Sequence, residues 1–185
     1  MAAETRTNPC PGGIAAQQSG LAKTTTQAAP ATGPALVTEA VYDVWGRVVA
    51  AGQREGATVP ANWTCTTYDS RGRAVKVTVP PGNAPSNSAP ERTIETGYST
   101  DGLTTTVTEK NTAGTVTSTS TVITDLAGRT VTYRHTVPGA TAGSVLATIT
   151  TTSTYDTQGR PTQAVTTSSA GGSSTQSLTY RPMAG

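Results

Sequence analysis

A six-residue pattern recurs along this chain and constrains the fold more than any other feature. Tyr68-Asp69-Ser70-Arg71-Gly72-Arg73 returns as Tyr42-Asp43-Val44-Trp45-Gly46-Arg47, as Tyr155-Asp156-Thr157-Gln158-Gly159-Arg160 and, with Thr in place of Tyr, as Thr124-Asp125-Leu126-Ala127-Gly128-Arg129. A worn copy, Tyr98-Ser99-Thr100-Asp101-Gly102-Leu103, lies between them. Aligned on their glycines, the copies are separated by 26, 30, 26 and 31 residues. Self-similarity at such a period marks a repeat architecture, in which each unit is one supersecondary element that buries its surface against its neighbours.

The chemistry of the motif specifies a tight turn. Asp at the first turn position can accept backbone N–H bonds two and three residues on, and Gly at the fourth position takes positive φ and returns the chain as a bulged strand. The Tyr closes the incoming strand and the Arg opens the outgoing one. Arg is then placed to stack on a Tyr ring or to pair with an Asp, in its own turn or in a neighbouring one. Repeated along the chain, this predicts a Tyr/Asp/Arg seam.

Between motifs the pattern reads strand, turn, strand. Val75, Val77 and Val79 alternate with Lys76 and Thr78, which places the valines on one face of a strand. A second set of turns falls midway between the motifs: Gly52 to Gly56, Pro80 to Asn83, Asn111 to Gly114, Pro138 to Gly143 and Ala170 to Gly172. Each repeat therefore reads as a β-hairpin, and the fold class as all-β: an antiparallel, twisted ribbon of about five hairpins over residues 36–185. Residues 1–35 carry no usable periodicity and read as a loop, a linker or the remnant of an earlier repeat.

Composition sets the character of this sheet. The chain has six Leu, four Ile, sixteen Val and no Phe in 185 residues, a share below the roughly 20% at which disorder becomes an alternative, against which stands a formal charge of only +2. Thr, which suits a pleated surface, supplies 40 positions. Where strands set Thr against Thr, burial fixes register poorly, and the turns must set it. A formal charge of +2 with three Lys lacks the basic stripe that nucleic-acid binding requires. No apolar run approaches the roughly 18 residues of a membrane span, and the first thirty residues have no signal-peptide apolar region. An open ribbon leaves edges unpaired, expected at Val37–Tyr42 and Gln176–Tyr180, and so predicts self-association or low stability of the isolated chain.

Tyr-Asp-x-x-Gly-Arg at these intervals resembles the YD repeat of Rhs-family proteins, whose relatives include the C component of insecticidal toxin complexes, wall-associated bacterial proteins and the teneurins. The resemblance covers residues 36–185. It rests on Tyr42, Asp43, Gly46 and Arg47; Tyr68, Asp69, Gly72 and Arg73; Tyr98 and Gly102; Asp125, Gly128 and Arg129; and Tyr155, Asp156, Gly159 and Arg160. Asn8-Pro9-Cys10-Pro11-Gly12-Gly13 and Trp63-Thr64-Cys65 are similar to segments of actinobacterial Rhs-like proteins. The resemblance implies a segment of a β-shell in a secreted or cell-surface protein. Such a shell encloses and helps deliver a C-terminal, often toxic, domain, so the partners are the rest of the repeat protein and that domain. The alternative is a surface module that binds carbohydrate through Trp45 and Trp63.

Enzyme chemistry finds little material in the sequence. All five Asp lie in motif copies, where turn geometry uses them. His135 is the single histidine; with no G-x-S-x-G elbow and no partner placed by spacing, it reads as a strand residue. No catalytic, cofactor or metal site is expected. Asn62-Trp63-Thr64 fits the glycosylation sequon, which a Thr-rich chain produces readily by chance. Cys10 and Cys65 are too few for a metal site; they can pair with each other, pair elsewhere or stay free, since a spacing decides nothing about geometry.

Overall fold

A computed structural model of the chain describes residues 5–18, 20–21, 23–56, 62–81, 91–141 and 143–180. Two short strands come first, β1 (Thr5–Thr7) and β2 (Ala15–Gln17), followed by β3 (Thr24–Thr26), β4 (Leu36–Tyr42), β5 (Val48–Glu55), β6 (Trp63–Tyr68) and β7 (Ala74–Val79). The remaining strands are β8 (Arg92–Tyr98), β9 (Thr104–Asn111), β10 (Val116–Thr124), β11 (Thr130–Pro138), β12 (Val145–Tyr155), β13 (Pro161–Ser168) and β14 (Ser173–Ser177). The fold is all-β and antiparallel: β3 to β14 follow one another in chain order in a twelve-stranded sheet of hairpins, and β1 pairs with β2 separately. The chain divides into two compact units, Met1–Ile94 and Glu95–Gly185.

The turns set the register. Pairing slips by one residue at Val41/Tyr42, Thr67/Tyr68, Ile123/Thr124 and Thr154/Tyr155, each immediately before a motif aspartate. In the first hairpin Val41 pairs with Ala50 and Tyr42 with Val48, so Val49 is the extra residue of a bulge. A glycine at φ 77–80° stands in each of these turns, at 46, 72, 128 and 159. A bulge of this kind fixes which face every later side chain takes, a job that Thr-on-Thr strands cannot do by burial.

In the second unit, threonine hydroxyls bridge neighbouring strands, Thr151 to Thr166 at 2.9 Å and Thr154 to Thr162 at 3.1 Å. Such cross-strand pairs contribute roughly 0.2–1 kcal/mol each. Buried apolar side chains are scarce: among the described residues they are Ala16, Val37, Val41, Ala50 and Ala147. Four of these five belong to the first unit, and they are small, so its core is thin.

Residues 1–35, read as a loop, a linker or the remnant of an earlier repeat, contain β1, β2 and β3. Two features differ from the sequence expectation. Val37–Tyr42 is not an open edge, because β3 pairs with Val37–Glu39 and the Ala40 N–H donates to the Lys23 carbonyl at 2.9 Å. Gly52 is a buried position inside β5, paired with Glu39 and Trp63, rather than a turn residue. The turn expected at Pro80 to Asn83 runs into residues 82–90, which lie outside the described residues. Finally, Cys10 and Cys65 form a disulfide, with Cα atoms 5.8 Å apart.

Candidate functional site

Each full motif builds the same turn. The Asp43 N–H donates to the Arg47 carbonyl at 2.9 Å, and the Gly46 N–H donates to the Asp43 carbonyl at 3.0 Å. Asp43 Oδ1 accepts the N–H groups of Trp45 and Arg47, both at 2.9 Å, while Oδ2 accepts Arg47 Nε at 2.7 Å and Nη2 at 2.6 Å. Asp69 with Arg73, Asp125 with Arg129 and Asp156 with Arg160 repeat this arrangement, with Nε–Oδ2 distances of 2.7–2.8 Å. One carboxylate thus satisfies two backbone donors and one guanidinium.

The guanidinium then reaches the next hairpin. Arg47 lies over the ring of Tyr68 at 4.5 Å, Arg129 over Tyr155 at 4.9 Å and Arg160 over Tyr180 at 4.3 Å. Each of these tyrosines also donates its hydroxyl to the carbonyl one residue past that Arg: Tyr68 to Val48 at 2.8 Å, Tyr155 to Thr130 at 2.7 Å and Tyr180 to Pro161 at 2.9 Å. Sequence left open whether Arg pairs within its own turn or reaches a neighbour. In the folded chain it does both, the edge of the guanidinium on its own Asp and its face on the next Tyr.

The worn copy shows how the two halves depend on each other. Leu103 stands where Arg would be, and the next motif carries Thr124 where Tyr would be. With no guanidinium to cover a ring, the Thr124 N–H and Oγ1 both donate to the Leu103 carbonyl, at 2.9 and 3.2 Å. In that turn Ser99 takes the Asp position and its hydroxyl accepts the Thr104 N–H at 2.9 Å, while Asp101 accepts the Leu103 N–H at 2.9 Å. The Arg and the Tyr that would have met are absent together.

Hydrogen bonding holds the carboxyls below their ordinary values. For Asp69 and Asp156 the largest effect is the backbone N–H of Arg73 or Arg160; for Asp125 it is the Arg129 guanidinium, and for Asp101 the Ser99 hydroxyl. For Asp43 partial burial is the largest single effect and pushes upward, but the bonds from Arg47 and Trp45 together outweigh it. These aspartates are anions saturated with donors, which suits a turn clamp and not a general acid. No group of three or more metal-ligating side chains occurs among the described residues.

Of the other residues weighed from sequence, Trp45 lies against the seam. His135 is half-buried on β11, stacked on Tyr133 at 5.4 Å, and its Nδ1 has no hydrogen-bond partner. Trp45 is 76% exposed at the tip of its turn, with the Arg47 guanidinium 4.7 Å from its ring. Trp63 is half-buried at the start of β6, opposite Gly52. Beside Trp45 an open hollow of about 570 Å³ is lined by Arg47, Tyr68, Asp69, Ser70 and Arg71.

Two of the turns expected midway between motifs, at Asn111 to Gly114 and at Ala170 to Gly172, share the motif's geometry, a likeness that sequence reading did not draw. Asn111 Oδ1 accepts the N–H groups of Ala113 and Thr115, at 3.1 and 2.9 Å, and Gly114 has φ 78°. Ser168 takes the same place in its turn, its carbonyl accepting the Gly171 N–H at 3.0 Å and its hydroxyl the Ala170 N–H at 3.2 Å. The signal was present as Asn-x-x-Gly and Ser-x-x-Gly at hairpin spacing. Tyr180 was also missed, because no Asp follows it.

Comparison of the sequence with protein-family models and with curated proteins gives no match. No helix among the described residues is long and apolar enough to cross a membrane.

Proposed function

We propose that this chain is a structural segment of a YD-repeat β-shell in a secreted or cell-surface Rhs-like protein, and that the shell encloses and helps deliver a C-terminal, toxin-like domain. The observation that carries this reading is the pin between successive hairpins, Arg on its own Asp and on the next Tyr. It spends the charged groups of the motif on joining one hairpin to the next. The polar, threonine-lined strands suit a wall that packs against no dense core. The Cys10–Cys65 disulfide fits an oxidising compartment. The test is limited proteolysis of the whole reading frame that contains this chain. The downstream domain should resist digestion until the repeat region is denatured; digestion at the rate of the free domain would refute enclosure.

One observation favours a second reading, a surface carbohydrate-binding module: Trp45 offers an exposed ring beside an open hollow. Pyranose binding on a glycan array that Trp45→Ala abolishes without changing the melting temperature would establish it. Binding unaffected by that substitution would remove it.

A further inference from the structure

The N-terminal residues seal a sheet edge, and the sealing groups come from three separate places. In β4, alternate residues turn their backbone polar groups away from β5. Leu36 gives its carbonyl to the Gln27 N–H at 2.9 Å, and Ala40 gives its N–H to the Lys23 carbonyl at 2.9 Å. Thr38, between them, is paired with Thr25 of β3. Past the end of β3, one side chain takes over. Gln18, fully buried, donates its amide nitrogen to the Tyr42 carbonyl at 2.8 Å and accepts the Tyr42 N–H on its amide oxygen at 2.9 Å. A primary amide carries the same donor and acceptor as a peptide, so Gln18 acts as one more residue of an edge strand.

A covalent bond holds this arrangement down. Cys10 lies between β1 and β2, and it is joined to Cys65 on β6, two strands in from β4. Both cysteines line an open cavity of about 300 Å³, so the disulfide is within reach of a small thiol. Among the described residues, the cap is also held by the three-residue strand β3, the Gln18 amide, an Arg6–Glu39 ion pair at 3.9 Å and an apolar patch around Ala16.

We propose that the β1–β2 hairpin, Gln18 and β3 form a disulfide-locked cap over a strand-addition edge, and that reduction opens β4 to antiparallel pairing with β4 of a second copy of this chain. The redox step is a thiol–disulfide exchange with a dithiol reductant. Two electrons and two protons pass to the protein, the S–S bond breaks, Cys10 and Cys65 become thiols, and the reductant leaves as its own disulfide. The freed edge presents the outward backbone groups of Leu36, Thr38, Ala40 and Tyr42, which are the template for adding a strand. A second copy offers the same edge, and a two-fold axis normal to the sheet pairs the two antiparallel with their faces in common. The charged residue in β4, Glu39, is already neutralised by Arg54 at 2.8 Å, so the pairing brings no bare carboxylates together. This inference is independent of the shell reading.

The test is light scattering with hydrogen exchange on the full chain, oxidised and after dithiothreitol, beside a Cys10→Ser/Cys65→Ser variant that cannot cross-link copies. Both the reduced chain and the variant should reach twice the 18.7 kDa chain mass where the oxidised chain does not. At low concentration the Ala40 and Tyr42 amides should lose at least tenfold more protection than those of β5 to β7, and regain it as the dimer forms. In the oxidised chain Gln18→Ala should expose the Tyr42 amide alone. Unchanged Tyr42 protection on reduction or in Gln18→Ala overturns the cap. A reduced monomer with open Ala40 and Tyr42 amides overturns the second copy as partner. A loss of protection across β5 to β7 as large as that at Ala40 and Tyr42 in the reduced wild type overturns a cap that opens separately from the sheet.

Discussion

Two glycines in identical backbone conformations should respond differently to the same added methyl group, because only one of them lies under a pin. Gly128 has φ 78° and Gly159 has φ 80°, so Ala at either position pays the same left-handed strain, about 1–2 kcal/mol. A Cβ at Gly128 meets nothing within 4 Å, since the joint before it has Leu103 and no guanidinium. A Cβ at Gly159 falls 3.2 Å from Arg129 Nη1, the arm that lies over Tyr155. That arm must give by a few tenths of an ångström, which weakens its contact with the ring. Gly159→Ala should therefore cost the shared strain plus up to the cation–π contribution, about 0.5–1 kcal/mol at a partly exposed site. Both sites are in the same unit, so urea unfolding of the two variants against wild type gives the comparison directly, with the slope checked for constancy. Equal losses for Gly128→Ala and Gly159→Ala would refute the claim that Arg129 is held in place against the next hairpin.

Two further outcomes follow from the same geometry. The motif aspartates have folded-state pKa values below the unfolded value, so their contribution to stability is fully present above about pH 4 and is lost as pH falls through the lower folded values. Denaturant midpoints from pH 7 to pH 2 should hold steady and then fall below pH 4, and an Asp125→Asn variant should show a smaller acid loss; a midpoint that rises on acidification would contradict the assignment. Breaking the disulfide, which closes a separation of 55 residues, should lower stability by up to about 4 kcal/mol on chain entropy, read as a lower melting temperature of the Cys10→Ser/Cys65→Ser variant. An unchanged melting temperature would show that the N-terminal cap is held by its other contacts alone.

The parts of this fold that were legible in the sequence are those decided within a few residues. Asp69 and Gly72 determine their turn by the bonds an Asp makes to its own backbone and by the positive φ a Gly accepts, so the hairpins and their period were readable. The seam was legible only as a set of options, because Arg47 has an Asp and a Tyr in reach and nothing in a linear pattern says that a guanidinium can serve one by its edge and the other by its face. The cap was not legible. Gln18 is held by the backbone of Tyr42, 24 residues away, and any strand edge would serve it as well. One Gln of an adjacent pair in a segment without periodicity carries no signal of that kind. Cys10 and Cys65 were visible as a pair and undecided, since their bond depends on how the N-terminal hairpin is placed relative to β6.

The central claim is that Arg and Tyr from consecutive motifs are energetically coupled, and a double-mutant cycle on Arg129 and Tyr155 measures that directly. Arg129→Ala leaves Asp125 without its guanidinium in both arms of the cycle, so that loss cancels and only the contact with the Tyr155 ring remains. With Tyr155→Leu as the second substitution, the account predicts a favourable coupling of about 0.5–1 kcal/mol by urea unfolding. Losses that simply add, within about 0.3 kcal/mol, would contradict it and reduce the motif to a set of independent turns.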